Sequence, residues 1–172
     1  MPASRTSGFS LLEILVVLTI LAVLTGTVML SFTGAESEQA LKGAAERMAM
    51  RIELARQHAL TRNREWGIYV DVENAGYRFA ELNPEQQAWV EMSQRPFADN
   101  DLPDLVGLSL ELDEYDSLPF EEDEDLPQIL IFSSGEITPF TLLLEPEWES
   151  TPWAVSSDGL ARVEAARSED LF

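Results

Sequence analysis

The sequence predicts an α+β protein, one long N-terminal helix packed on antiparallel β-sheets. Three observations carry this. Phe9 to Phe32 is an almost unbroken apolar run. No proline falls between Pro2 and Pro84, and apolar residues from Glu36 to Asn63 recur at helical intervals. From Trp66 onward the pattern becomes short alternating stretches divided by Gly, Pro, Asn and Asp, with no second helical stretch.

Charge and composition narrow the function classes. The chain has 172 residues, with 11 Lys and Arg against 31 Asp and Glu, a formal net charge of -20. A body this acidic is repelled by nucleic acid, so none is expected as a partner. There is no cysteine, hence no disulfide, thiolate metal site or Cys nucleophile. His58 is the single histidine. Composition therefore points away from an enzyme, and no catalytic residue, metal or cofactor is assigned.

The first element is the apolar run. Glu13 is its one ionisable group, and no charge occurs from Ile14 to Leu30. A bilayer core of ~30 Å needs about 20 apolar residues at 1.5 Å each, so residues 9–32 are long enough to span. Three readings fit: a cleaved secretory signal with Thr33-Gly34-Ala35 as an imperfect cleavage site, a plain signal anchor, or a leader of the prepilin type. The first two leave Glu13 unexplained. A carboxylate inside an apolar segment costs roughly 2.5–3.5 kcal/mol when central and less near an end.

Gly8-Phe9-Ser10-Leu11-Leu12-Glu13 resembles the prepilin processing site, in which a short polar leader ends in Gly and the fifth mature residue is Glu. The resemblance implies that residues 1–8 are a leader. It implies cleavage between Gly8 and Phe9 by a prepilin peptidase, which also N-methylates Phe9. It further implies that Glu13 faces the Phe9 amine of a neighbouring subunit during assembly. Such a pair is a register device: the carboxylate is costly alone in lipid and relieved when docked. The plainer alternative leaves Glu13 solvated at headgroup level. The distribution of basic residues does not set the orientation, since Arg5 precedes the segment while Lys42, Arg47 and Arg51 follow it. A cytoplasmic N-terminus rests on the resemblance alone.

Residues 33–63 continue the helix in amphipathic form. Leu41, Ala44, Ala45, Met48, Ile52, Ala55 and Ala59 fall on one face, and its small residues suit close packing on a sheet. The helix is expected from Phe9 to Asn63, with a bend in Ser31 to Ser37 around Gly34 and a second soft point at Gly26. Six of the 11 basic residues lie between Lys42 and Arg64, a strip that is either solvated surface or a means of steering neighbouring subunits.

Residues 64–172 form the β-rich part, expected in the periplasm. Trp66 to Val72 and Tyr77 to Leu82 flank Glu73-Asn74-Ala75-Gly76 and read as a hairpin. Further strands are expected at Ala88 to Met92, Leu105 to Leu112, Gln128 to Phe132, Phe140 to Leu144, Trp153 to Val155 and Leu160 to Glu164. Glu111 to Asp125 holds nine carboxylates and reads as a solvated acidic loop.

The stretch Ile129 to Glu136, then Phe140 to Leu144, then Ser157-Asp158-Gly159-Leu160-Ala161-Arg162-Val163, is similar to the H-type pattern of type II secretion minor pseudopilins (GspH/XcpU-like), within the type IV pilin-like class. The resemblance implies a pilin-like fold. It implies a structural subunit of the pseudopilus that helps export folded proteins across the outer membrane. Its partners would be other minor and major pseudopilins, the prepilin peptidase and inner-membrane lipid. The protein would sit in the bacterial inner membrane as a single-pass protein with a periplasmic C-terminal domain. Two alternatives stand beside it: a type IV pilus minor pilin (FimT/FimU-like), and a membrane-tethered or secreted periplasmic binding domain. One departure is the absence of proline from the apolar segment, where many pilin-class helices carry one.

Other motifs lead elsewhere. The acidic loop lacks the ligand spacing of an EF-hand, though calcium remains a candidate ligand. His58 reads as a surface or packing residue. No G-x-S-x-G, P-loop or G-x-G-x-x-G occurs. Trp148 and Trp153 read as hairpin-core residues or as a contact patch.

Overall fold

The fold is described from a computed structural model, which covers residues 11–98, 102–112 and 126–170; within the first helix, the side chains of residues 23–35 lie outside the description. Most of the expected acidic loop, residues 113–125, also lies outside it. Two compact units emerge, Met1–Gln39 and Ala40–Phe172.

Helix α1 (Leu11–Arg62) runs through both Gly26 and Gly34 with its helical assignment unbroken. In the first unit the side chains of residues 11–22 are all exposed, while Ser37 and Glu38 are partly covered. Thr19 is polar among mostly apolar neighbours, and its hydroxyl donates to the Leu15 carbonyl at 2.8 Å, within the helix itself. Among the described residues no helix is long and apolar enough to cross a membrane. The expected span, residues 9–32, includes residues 9 and 10, which lie outside them, and residues 23–32, whose side chains do.

In the second unit α1 buries Leu41, Ala44, Ala45, Met48, Ala49, Ile52, Ala55 and Ala59. Every residue of the expected apolar face is therefore inward, and Ala49 joins it. The helix stops for a local reason. Asn63 adopts φ 51°, and the Arg64 N–H donates back to the Ala59 carbonyl at 3.1 Å. This is a left-handed C-terminal cap, for which Asn is among the few tolerated non-glycine residues.

Among the described residues eight strands follow: β1 (Trp66–Asp71), β2 (Gly76–Asn83), β3 (Ala88–Glu91), β4 (Val106–Leu112), β5 (Ile129–Ile131), β6 (Phe140–Pro146), β7 (Trp153–Ser157) and β8 (Glu164–Arg167). They form two four-stranded sheets, β3-β2-β1-β5 and β4-β6-β7-β8, with every pair antiparallel. A bridge from Ile131 to Ile137, and the Ile137 N–H donating to the Gly159 carbonyl, link the two sheets. One core joins the helix face to Trp66, Ile68 and Phe79 of the first sheet and to Leu142, Leu144 and Val155 of the second.

The expected β1–β2 hairpin is present. Its turn is tied by the Asp71 carboxylate, which accepts from the Asn74 N–H at 3.0 Å and from the Asn74 side-chain amide at 2.8 Å. The last expected strand, Leu160 to Glu164, is a correction: β8 begins only at Glu164. Asp158 Oδ1 accepts the Leu160 and Ala161 N–H groups, while Arg56 takes the Leu160 and Ala161 carbonyls. Side chains have claimed the backbone groups that a strand ladder requires. Gly159 at φ 97° turns the chain there, and a Cβ on it would sit 2.9 Å from the Ile137 carbonyl oxygen.

Candidate functional site

The expected processing residues, Gly8 and Phe9, lie outside the described residues. Glu13 lies near the start of the described part of α1, where its side chain is exposed. The Phe9 amine expected to meet it is outside the description. Around Glu13, Leu11, Leu12, Ile14, Leu15, Val16, Val17, Leu18, Ile20 and Leu21 are between 45% and 90% exposed. Nearly consecutive positions point to every side of a helix, so this surface is apolar all round. Burying each of these side chains would yield about 1.5–3 kcal/mol. The geometry can insert into lipid or pack among like helices, and it offers no chemistry beyond the one carboxylate.

The second unit places the other singled-out residues in structural roles. His58 is half-buried, its ring edge-on to Trp66 at 5.6 Å and to Phe97 at 5.3 Å between centroids. It is a packing residue. Trp153 is buried with Lys42 Nζ 5.9 Å from its ring centroid, and Trp148 packs at the core's margin. Among the described residues no cluster of His, Asp and Glu could hold a metal ion.

The basic strip from Lys42 to Arg64 is more structural than expected. Arg51 donates to the Tyr77 hydroxyl at 3.2 Å. Arg56, with its side chain only 17% exposed, donates to the carbonyls of Gly135, Leu160 and Ala161 and lies 3.7 Å from Glu53. One guanidinium thus ties the helix to the turn after β5 and the turn after β7. The sequence carried a signal for this: residue 56 is four positions from Ile52, beside the apolar face, where a cation must find partners. Glu65 has a similar role, accepting the Ser133 N–H at 2.9 Å and the Ser133 hydroxyl at 2.8 Å.

Three ionisable groups are shifted by these contacts. Hydrogen bonds from the Asn74 side chain and N–H hold Asp71 below the usual carboxylate range. Bonds from the Ala161 and Leu160 N–H groups do the same for Asp158. Burial pushes the Tyr77 phenol up, and the Arg51 bond opposes it. All three secure turns or packing.

Residues 44–168, nearly all of the second unit, match the family Type II transport protein GspH. The chain belongs to the GspH family. Residues 3–29 match the prokaryotic N-terminal methylation motif, which covers Gly8, Phe9 and Glu13. The type II secretion system protein H of Pseudomonas aeruginosa is 35% identical, over 97% of this chain and 99% of its own. That of Aeromonas hydrophila is 28% identical, over 96% of each chain. The minor pseudopilin EpsH of Vibrio cholerae has the same fold, with a TM-score of 0.62 at 23% identity over 74% of this chain and 96% of that one. The GspH-family chain is a minor pseudopilin, a structural subunit of the type II secretion pseudopilus. As a filament subunit it contacts other pseudopilins.

Proposed function

We propose that this GspH-family subunit is made with residues 1–8 as a leader, is cut between Gly8 and Phe9 by a prepilin peptidase, and is N-methylated on Phe9. Residues 9–32 then anchor it once through the inner membrane and later pack in the filament core. Residues 33–63 continue the helix, and residues 64–172 form the periplasmic domain. Glu13 sets register by meeting the Phe9 amine of a neighbour, and the subunit helps export folded proteins across the outer membrane without catalysing a reaction. The observation that carries the reading is the coincidence of the methylation motif over residues 3–29 with an exposed helical surface, apolar on all sides, that begins beside Glu13.

Mass spectrometry of the protein purified from its host tests the cleavage: the mature chain should begin at methylated Phe9. A chain that keeps Met1 to Gly8 in cells containing the peptidase overturns it. A Glu13→Ala variant should be cut normally but be lost from the pseudopilus. Equal incorporation of that variant removes the role given to Glu13 and leaves the cleavage untouched.

A further inference from the structure

Among the described residues β4 is a free edge of its sheet, and at seven residues it is longer than β3 or β8. The Glu147 N–H donates to the Leu105 carbonyl, so Leu105, Gly107, Ser109 and Glu111 turn their backbone groups toward β6. Val106, Leu108, Leu110 and Leu112 therefore turn their N–H and C=O groups outward. Among the described residues nothing bonds to these outward groups. Natural sheets blunt such edges with short strands, lysine or proline, and β4 has none of these.

The ends of the edge are marked. Leu105, just before β4, is 63% exposed and sits at φ 62°, a left-handed conformation that a bulky residue rarely adopts. Leu112 at the other end is also exposed. Two leucines in water thus bracket the open backbone. Strained backbone held in place by its surroundings is a pointer to function.

Charge selects the occupant. Glu111 lies on the outer face of β4, and Glu145, opposite Gly107, accepts a bond from the Ser109 hydroxyl at 3.2 Å. A second copy, itself at a formal net charge of -20, would bring its own Glu111 and Glu145 to the same edge and be repelled. An extended segment with Lys or Arg at alternate positions would set cations against Glu111 and Glu145 and apolar residues beside Leu110 and Leu112. We infer that the β4 edge is a strand-addition site for an extended, cationic segment of another protein.

Amide hydrogen exchange on the full chain in detergent tests this, with a synthetic peptide of alternating Lys and Val as the probe and an alternating Glu and Val peptide as its charge control. The Leu108 and Leu110 amides should exchange fast in the protein alone and slow by about tenfold or more with the Lys peptide. Trp89 and Glu91, on the shorter β3 edge, should not change. Leu110→Pro removes an outward N–H while sparing the β6 ladder, and should abolish the slowing at Leu108. Replacing Glu111 and Glu145 together by Lys should transfer the preference to the Glu peptide, which keeps the test alive if the proline variant does not fold. The inference fails if the outward amides are already slow without peptide, if both peptides act alike, or if β3 slows equally.

Discussion

Leu11 to Ala22 and Ala40 to Arg62 belong to the same helix and use apolar side chains in opposite ways. In the second stretch, Leu41, Met48 and Ile52 are completely covered by the two sheets. Their burial, at about 1.5–3 kcal/mol each, is realised within one chain. In the first stretch, Leu11, Leu15 and Leu18 are as apolar and stand exposed. Helical propensity does not separate the two stretches; what covers them does. An amphipathic face is completed by its own sheets, whereas a surface apolar on all sides has to be completed by lipid or by other subunits. The two stretches should therefore respond independently to substitution.

The largest effect is expected from Trp66→Ala. Trp66 is fully buried against His58 and Phe97, and truncating such a side chain costs about 3–5 kcal/mol. Thermal unfolding should report a much less stable second unit, while membrane fractionation of the folded protein stays normal. Leu18→Lys is the reciprocal case. A lysine at the centre of a spanning helix costs roughly 2.5–3.5 kcal/mol on insertion scales. This variant should lose membrane retention and leave the unfolding temperature of the second unit unchanged. If either substitution moves both readouts together, the two stretches are not independent.

Arg56→Met comes next. The substitution keeps the aliphatic stem but leaves the carbonyls of Gly135, Leu160 and Ala161 without their charged donor, at about 2–3 kcal/mol. Unfolding by urea should show the loss, and Arg56→Lys should recover only part of it, because an ammonium lacks the planar fork that reaches carbonyls on two turns. The same residue marks the limit of what could be read without coordinates. The helix, its apolar face and its stop near Asn63 were legible, because the apolar period is local. So was the β1–β2 hairpin, since Asp71, Asn74 and Gly76 specify a turn among themselves. Leu160 to Val163 was not: it alternates like a strand, but its backbone is held by Asp158 and by an arginine about a hundred residues earlier, and no local pattern records that. Glu13 and Gly8-Phe9 were legible as a motif, and the exposed surface around Glu13 followed from an apolar run with no polar face. The open edge of β4 was not legible, because sheet order depends on pairings across the whole domain.

The smallest effect isolates that misread segment. Asp158 is an exposed carboxylate whose ionised form accepts the Leu160 and Ala161 N–H groups, and those bonds lower its pKa on folding. A carboxyl group with a depressed folded value contributes stability above its ordinary value of 3.8, and that contribution drains away as the pH falls from there through the folded value. Asp158→Asn retains an acceptor oxygen without the charge. It should therefore be slightly less stable than the parent near neutral pH, and the gap should close as both are acidified below 3.8. Membrane retention reads out Leu11 to Ala22 and should not change at any pH at which the fold survives. A gap that persists unchanged into strong acid would mean that the Asp158 contacts hold the turn by shape alone, with no contribution from the charge.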